Sequence, residues 1–228
     1  MGGGGRVRIL VINPVGTPRW DESDLRIYRS YLSSDAEVTV KSLPEGPPSV
    51  ENPLAHAWAE YLVIKYGVEW VRGYDATVVN CFLDPGVEGL RALVKAPVVG
   101  PCEASLALAR AAGLRRPAIV TAGNKALWMI EDRVRRLGYG GYVAGVYGIG
   151  LTVLELDEDR GRTVDEVVEA CERALRGGAD SIVLGCTGLA GIAEEVSERV
   201  GAPVVDPAGA AARVAEAAAV LRLARRAG

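Results

Sequence analysis

Cys81-Phe-Leu-Asp-Pro-Gly86-Val-Glu-Gly-Leu-Arg-Ala-Leu-Val-Lys-Ala-Pro97-Val-Val-Gly-Pro101 returns in outline later in the chain as Cys186-Thr-Gly-Leu-Ala-Gly191-Ile-Ala-Glu-Glu-Val-Ser-Glu-Arg-Val-Gly-Ala-Pro203-Val-Val-Asp-Pro207. The two cysteines stand 105 positions apart and the two Pro-Val-Val runs 106, so one inserted residue aligns the copies. Self-similarity at long period marks a repeated structural unit. Each copy reads as apolar strand, cysteine, helix, strand, helix. Working outward, short β-branched runs at 7–12, 38–42, 77–80, 97–99, 118–121, 142–146, 181–184 and 203–205 alternate with stretches of helical period at 51–70, 86–94, 103–112, 124–136, 164–176, 189–199 and 208–226. Continuous apolar strands between helices belong to parallel sheets covered on both faces. The expected fold is therefore α/β: two similar lobes related by pseudo-twofold symmetry, each with a parallel sheet flanked by helices. The first lobe would hold 1–100 with 208–228, the last helix crossing back to it, and the second 101–207.

Both cysteines end a strand, in Thr77-Val-Val-Asn80-Cys81 and Ser181-Ile-Val-Leu-Gly185-Cys186. Ligands of open parallel sheets bind in the crevice outside the carboxyl ends of the strands. A helix N-terminus beside such a thiol would lower its pKa. If the lobes face each other, the two thiols enter one cleft from opposite sides. Buried cysteines often merely fill space, but equivalent positions in two repeats argue against that for this pair. Cys102 and Cys171 have no counterpart in the repeat and read as structural.

Composition narrows the chemistry. His56 is the single histidine, which removes His-rich metal sites and every triad with a histidine base. The four cysteines have no CxxC or finger spacing, so neither a metal nor a disulfide framework is expected. Twenty-six basic against 29 acidic residues and a pI near 5.4 provide no field for a phosphate backbone. Arg222-Leu-Ala-Arg225-Arg226 reads as a helix end complementing the macrodipole. No apolar run approaches the ~18 residues of a membrane span. Met1-Gly-Gly-Gly-Gly-Arg6 offers no apolar leader, and the expected location is the cytoplasm. The absence of Gln and the four Asn suit a thermophile, while 22 Arg against 4 Lys also suit a GC-rich genome.

Other motifs carry less. Gly145-Val-Tyr-Gly148-Ile-Gly150 lacks dinucleotide-fingerprint spacing and reads as a loop. Asp157-Glu-Asp159 and Glu194-Glu195 read as solvated surface, and His56 as a surface or half-buried side chain. Trp58, Tyr61, Trp70 and Tyr74 read as core or subunit interface.

Ile9-Leu-Val-Ile-Asn13-Pro, Gly46-Pro-Pro-Ser-Val-Glu51, Cys81-Phe-Leu-Asp-Pro-Gly86, Pro97-Val-Val-Gly100 with Glu103-Ala104, Ile119-Val-Thr121 and Leu184-Gly-Cys186-Thr-Gly188 occur in the order found in the aspartate/glutamate/hydantoin racemase superfamily, which this sequence resembles, most closely the hydantoin racemases. The resemblance implies an isomerase without metal or other cofactor. Cys81 and Cys186 would be its acid/base pair, and Asn13, Asn80, Phe82, Thr121, Thr187 and Gly188 would line the substrate site. It also implies a small-molecule substrate and a homo-oligomer. The sequence departs from the pattern after Asn13, at Asn80 where a small residue is usual, and at Thr187 where hydantoin racemases usually carry Ala. Hydantoins or related ureides such as allantoin are the first substrate class. Aspartate or glutamate racemisation and maleate isomerisation are alternatives within the superfamily, and a two-lobed small-molecule binding protein is the alternative outside enzymes.

Overall fold

The computed structural model describes residues 6–125 and 127–221. The first half of the chain runs β1 (Val7–Asn13), α1 (Asp21–Tyr31), β2 (Ala36–Ser42), α2 (Pro53–Trp70), β3 (Ala76–Val79), α3 (Val87–Leu93) and β4 (Val98–Val99). Its four strands are parallel in the order β2-β1-β3-β4, with Ile9 paired to Val38 on one side and Ala76 on the other. After α4 (Pro101–Ala111), the second half runs β5 (Pro117–Thr121), α5 (Leu127–Arg136), β6 (Gly145–Gly148), α6 (Arg160–Arg176), β7 (Ser181–Leu184), α7 (Ala193–Val200), β8 (Val204–Val205) and α8 (Pro207–Val220). Its strands repeat the order as β6-β5-β7-β8, again parallel, with Ile119 between Val146 and Val183. These are two similar α/β lobes. In both, every residue of the two inner strands from Ile9 to Asn13, Ala76 to Val79, Pro117 to Thr121 and Ser181 to Leu184 is buried, as parallel strands covered on both faces must be.

The helices after the two Pro-Val-Val strands change lobes. Ala208, Ala211 and Ala215 of α8 pack with Ile9, Val11 and Val78 of the first sheet. Cys102, Leu106 and Ala109 of α4 pack with Ile119 and Val183 of the second. The two helices meet each other between the lobes. Small side chains also let α8 approach α1: a Cβ on Gly209 would lie 2.9 Å from the Tyr31 ring. Both helices start at proline, where the missing N–H costs no hydrogen bond. Asp206 caps α8 by accepting from the Ala208 and Gly209 N–H groups at 2.9 and 3.0 Å.

Several sequence expectations shift. Helix α1 was not expected, because only Asp24 and Tyr28 of its eleven residues are buried and no side chain caps it. The strand expected at 142–146 is β6, displaced to Gly145–Gly148, so part of the glycine motif read as a loop is an edge strand. The helix expected at 189–199 is broken: Thr187–Leu189 forms a 3-10 turn, Gly191 adopts φ 82°, and α7 begins at Ala193. The Arg222–Arg226 run lies outside the described residues. Trp58 and Tyr61 are exposed on α2, whereas Trp70 and Tyr74 pack against the first lobe's core. No helix among the described residues is long and apolar enough to cross a membrane.

Candidate active site

The carboxyl ends of β1 and β3 in one lobe and of β5 and β7 in the other face a cleft of about 750 Å³. Strand β3 ends at Val79 and β7 at Leu184, two residues before each cysteine, so both thiols enter the same cavity. The lobes treat the preceding residue alike: the Asn80 N–H donates to Ile12 O at 2.8 Å, and the Gly185 N–H to Val120 O at 2.7 Å. Gly185 has no room for a side chain, since a Cβ would sit 2.4 Å from Ile119 Cγ2. At the matching place Asn80 turns its amide into a polar network instead. The structure brings Asn13, Asn80, Phe82 and Thr121 together with Thr187 and Gly188 around the two cysteines. Thr121 Oγ1 donates to Gly185 O at 2.8 Å, and Thr187 Oγ1 reaches across the lobes to Asn80 O at 3.2 Å.

Both cysteines are half-buried. Burial pushes the Cys81 thiol up to about 12, opposed by the Leu83 N–H and reinforced by the nearby Cys186. Burial pushes Cys186 up to about 12 as well, opposed by the Gly188 N–H and reinforced by Glu51. A backbone N–H two residues beyond each cysteine thus meets each sulfur. The sequence expectation of a lowered pKa is overturned, because burial raises both thiols. Helix α3 starts only at Val87, and Cys186 is followed by a single 3-10 turn, so neither thiol has a long helix to offset its loss of solvent. Cys102 and Cys171 are fully buried in core clusters.

Residues the sequence reading did not single out complete the cleft. Asp24 of α1 and Glu51 ahead of α2 supply its carboxylates, and among the described residues no Lys, Arg or His lines it. Glu51 spans the lobes: one oxygen accepts from Ser49 Oγ at 2.7 Å, the other from the Val153 N–H at 3.0 Å. Trp20, also in the lining, donates its indole N–H to Asp157 of the second lobe, while Arg19 reaches Leu154 O at 3.3 Å. Asp157 is therefore more than the solvated surface expected of it, because it ties the loop before α1 across the cleft. The Ser49-Val-Glu51 motif was visible, but its role depends on the other lobe. His56 lies beside the Cys81 turn, 3.4 Å from Leu83 O, and is half-buried. No cluster of three or more His, Cys, Asp or Glu side chains able to hold a metal occurs among the described residues.

Residues 9–215 match the Asp/Glu/Hydantoin racemase family. The chain belongs to that family. It is 32% identical to the hydantoin racemase of Paenarthrobacter aurescens over 94% of its own length and 92% of the relative's. It is 30% identical to the hydantoin racemase of Rhizobium meliloti, over 92% and 88% of the two chains. Among solved structures, allantoin racemase from Pseudomonas fluorescens superposes with a TM-score of 0.92 at 32% identity, covering 96% of this family member and 94% of that chain.

Proposed function

We propose that this chain racemises uncharged ureides, 5-substituted hydantoins or related compounds such as allantoin, by passing protons between Cys81 and Cys186 on opposite faces of a carbon next to a carbonyl. The observation that carries the reading is two thiols, one from each lobe, in a cleft whose lining offers carboxylates and, among the described residues, no cationic side chain. A planar enolate has two faces, and a single base tends to return the proton to the face it left. Two opposed thiols serve both faces. One must be thiolate and the other thiol in the active form, and their mutual repulsion favours that singly ionised state. The C–H of a hydantoin ring, beside a carbonyl, is acidic enough for a thiolate without a cofactor. Aspartate, glutamate and maleate would bring carboxylates towards Asp24 and Glu51 with no cation in the lining to receive them. The relatives that are hydantoin and allantoin racemases point to the same substrate class. A homo-oligomer in the cytoplasm belongs to this reading.

The direct test follows deuterium exchange and optical rotation on a panel of hydantoins, allantoin, aspartate, glutamate and maleate. Exchange with racemisation is expected for the ureides. Turnover confined to the amino acids or maleate would replace this reading with another within the family, and binding without exchange would favour a binding protein.

The thiols also define a pH dependence. A group pushed up to about 12 is almost wholly protonated at neutral pH, and its ionised fraction grows about tenfold per unit below that value. Racemisation at subsaturating substrate is expected to rise steeply between pH 7.5 and 9.5. Iodoacetamide should abolish activity, faster at higher pH and more slowly with substrate present, while chelators and carbonyl reagents leave it intact. A profile already flat at pH 7.5 would show that the thiols ionise well below that value in the working enzyme, and labelling confined to Cys102 or Cys171 would remove Cys81 and Cys186 from the mechanism.

A further inference from the structure

A one-way chain of hydrogen bonds ends at the cleft on Asp24. The Tyr28 hydroxyl, on the fully buried face of α1, can only donate to Asn80 Oδ1, at 2.9 Å. That fixes the Asn80 amide, whose Nδ2 donates to Asn13 Oδ1 at 2.8 Å. Asn13 is fixed in turn, and its Nδ2 donates at 2.9 Å to both Asp24 Oδ2 and Asp21 Oδ1. Asp21 is further occupied by Ser42 Oγ at 2.6 Å. The Asn13 hydrogen bond falls on one oxygen of Asp24, with the Asn80 amide also close to the carboxylate, and Asp24 lines the cavity while only 8% exposed. Every amide in the chain is oriented by the one before it, and the last acceptor faces the site.

We propose that Asp24 determines specificity by accepting an N–H of the substrate ring, so that this cleft selects ligands presenting an uncharged imide or ureide N–H beside the reacting carbon. The inference rests on the ureide reading above and adds the group that recognises it. An ionised carboxylate is an acceptor alone, so an N-alkylated ring loses its partner and an extra carboxylate meets repulsion. The hydrogen bond is charge-assisted and formed where solvent is scarce, which places its loss at roughly ten- to a hundredfold in binding. Burial raises Asp24 to about 7, against the Asn13 and Asn80 amides and with Asp21 and Asp157 adding to the rise. Those two carboxylates and the Tyr28 phenol are the titratable groups bearing on it, from its own helix and from the second lobe. The acceptor is therefore present above about pH 7 and lost as pH falls through it.

Asp24→Asn keeps the shape, and its amide can turn so that Oδ1 still takes the Asn13 donor, leaving a donor where the substrate needs an acceptor. Michaelis constants for a 5-substituted hydantoin and for its N1-methyl and N3-methyl derivatives are measured in wild type and Asp24→Asn. Binding of the same three compounds to the inactive Cys81→Ser/Cys186→Ser protein, with and without Asp24→Asn, is followed by calorimetry from pH 5.5 to 8.5, with thermal melts checking the fold. Asp24→Asn is expected to weaken the parent hydantoin at least about tenfold at pH 8. It should change one methyl derivative by less than about threefold, because methyl and substitution remove the same bond. In the Cys81→Ser/Cys186→Ser protein, parent affinity should fall below pH 7 only when Asp24 is present. Equal losses on all three compounds, or a parent hydantoin unaffected by Asp24→Asn, would overturn the assignment while leaving ureide racemisation intact. No racemisation of any hydantoin by wild type would instead overturn the proposed function.

Discussion

Cys81→Ser and Cys186→Ser are each expected to stay folded, to lose racemisation by at least about a thousandfold, and to differ from each other in which enantiomer they still exchange. Serine nearly matches cysteine in shape, and both sites border a cavity that absorbs a small change in radius. Its hydroxyl is far too weak a base to take the thiolate's place near neutral pH, and positioned acid/base groups contribute roughly 10²- to 10⁴-fold each. If each thiol serves one face, the survivor can still remove a proton from its own enantiomer and return solvent deuterium to the same face. Proton NMR in D2O on separate enantiomers reads the exchange, and polarimetry reads the chirality. Opposite enantiomeric preference in the two variants is the expected signature. Near-normal racemisation by either variant would defeat the two-thiol mechanism, and exchange of the same enantiomer by both would reduce it to a single base.

Arg133→Met is expected to cost more stability than any substitution in the cleft. Asp84, three residues beyond Cys81, is fully enclosed with φ 50°, and its N–H donates to Cys81 O at 2.9 Å. Its carboxylate caps α4 through the Cys102 and Glu103 N–H groups at 3.0 and 3.3 Å. Arg133 of α5 closes the site with Nε and Nη2 at 3.1 and 2.9 Å from Oδ2, and also pairs with Glu88. A Cβ on Gly100 would lie 2.3 Å from Asp84 Cγ, so only glycine leaves room for the carboxylate there.

Burial raises Asp84 from 3.8 to about 6 even with Arg133 opposing it. A carboxyl raised in this way contributes stability that is present below pH 4 and lost as pH rises through 6, so at neutral pH the ionised group is a net cost. The pair is consequently a device for placing the Cys81 turn and joining the lobes more than a source of stability. Removing Arg133 alone leaves the charge unpaired, which costs about 3–5 kcal/mol, or a Tm lower by roughly 10 °C. The double variant Asp84→Asn/Arg133→Met should recover much of that loss. A calorimetric Tm within about 2 °C of wild type for Arg133→Met would show that the pair holds nothing.

Some of this protein was legible in its sequence. The alternating β-branched and helical runs, the repeated Pro-Val-Val strands and the two strand-end cysteines determined two similar parallel α/β lobes and a cleft holding both thiols. Strand period and the placement of crevices at carboxyl ends are local properties of the chain, and a repeat carries them twice. What the fold alone decided is what those thiols meet. Asp24 sits on a short helix docked on the first lobe's core through Leu25, Ile27, Tyr28 and Tyr31, and only that docking brings its carboxylate to the cleft. Trp20 and Glu51 line the site while bonded to Asp157 and Val153, partners more than a hundred positions away, which no local spacing encodes. The pKa of the cysteines followed the same division: sequence placed them before helices and so anticipated a lowered value, whereas packing removed the solvent, and desolvation outweighed the few N–H groups aimed at the sulfurs.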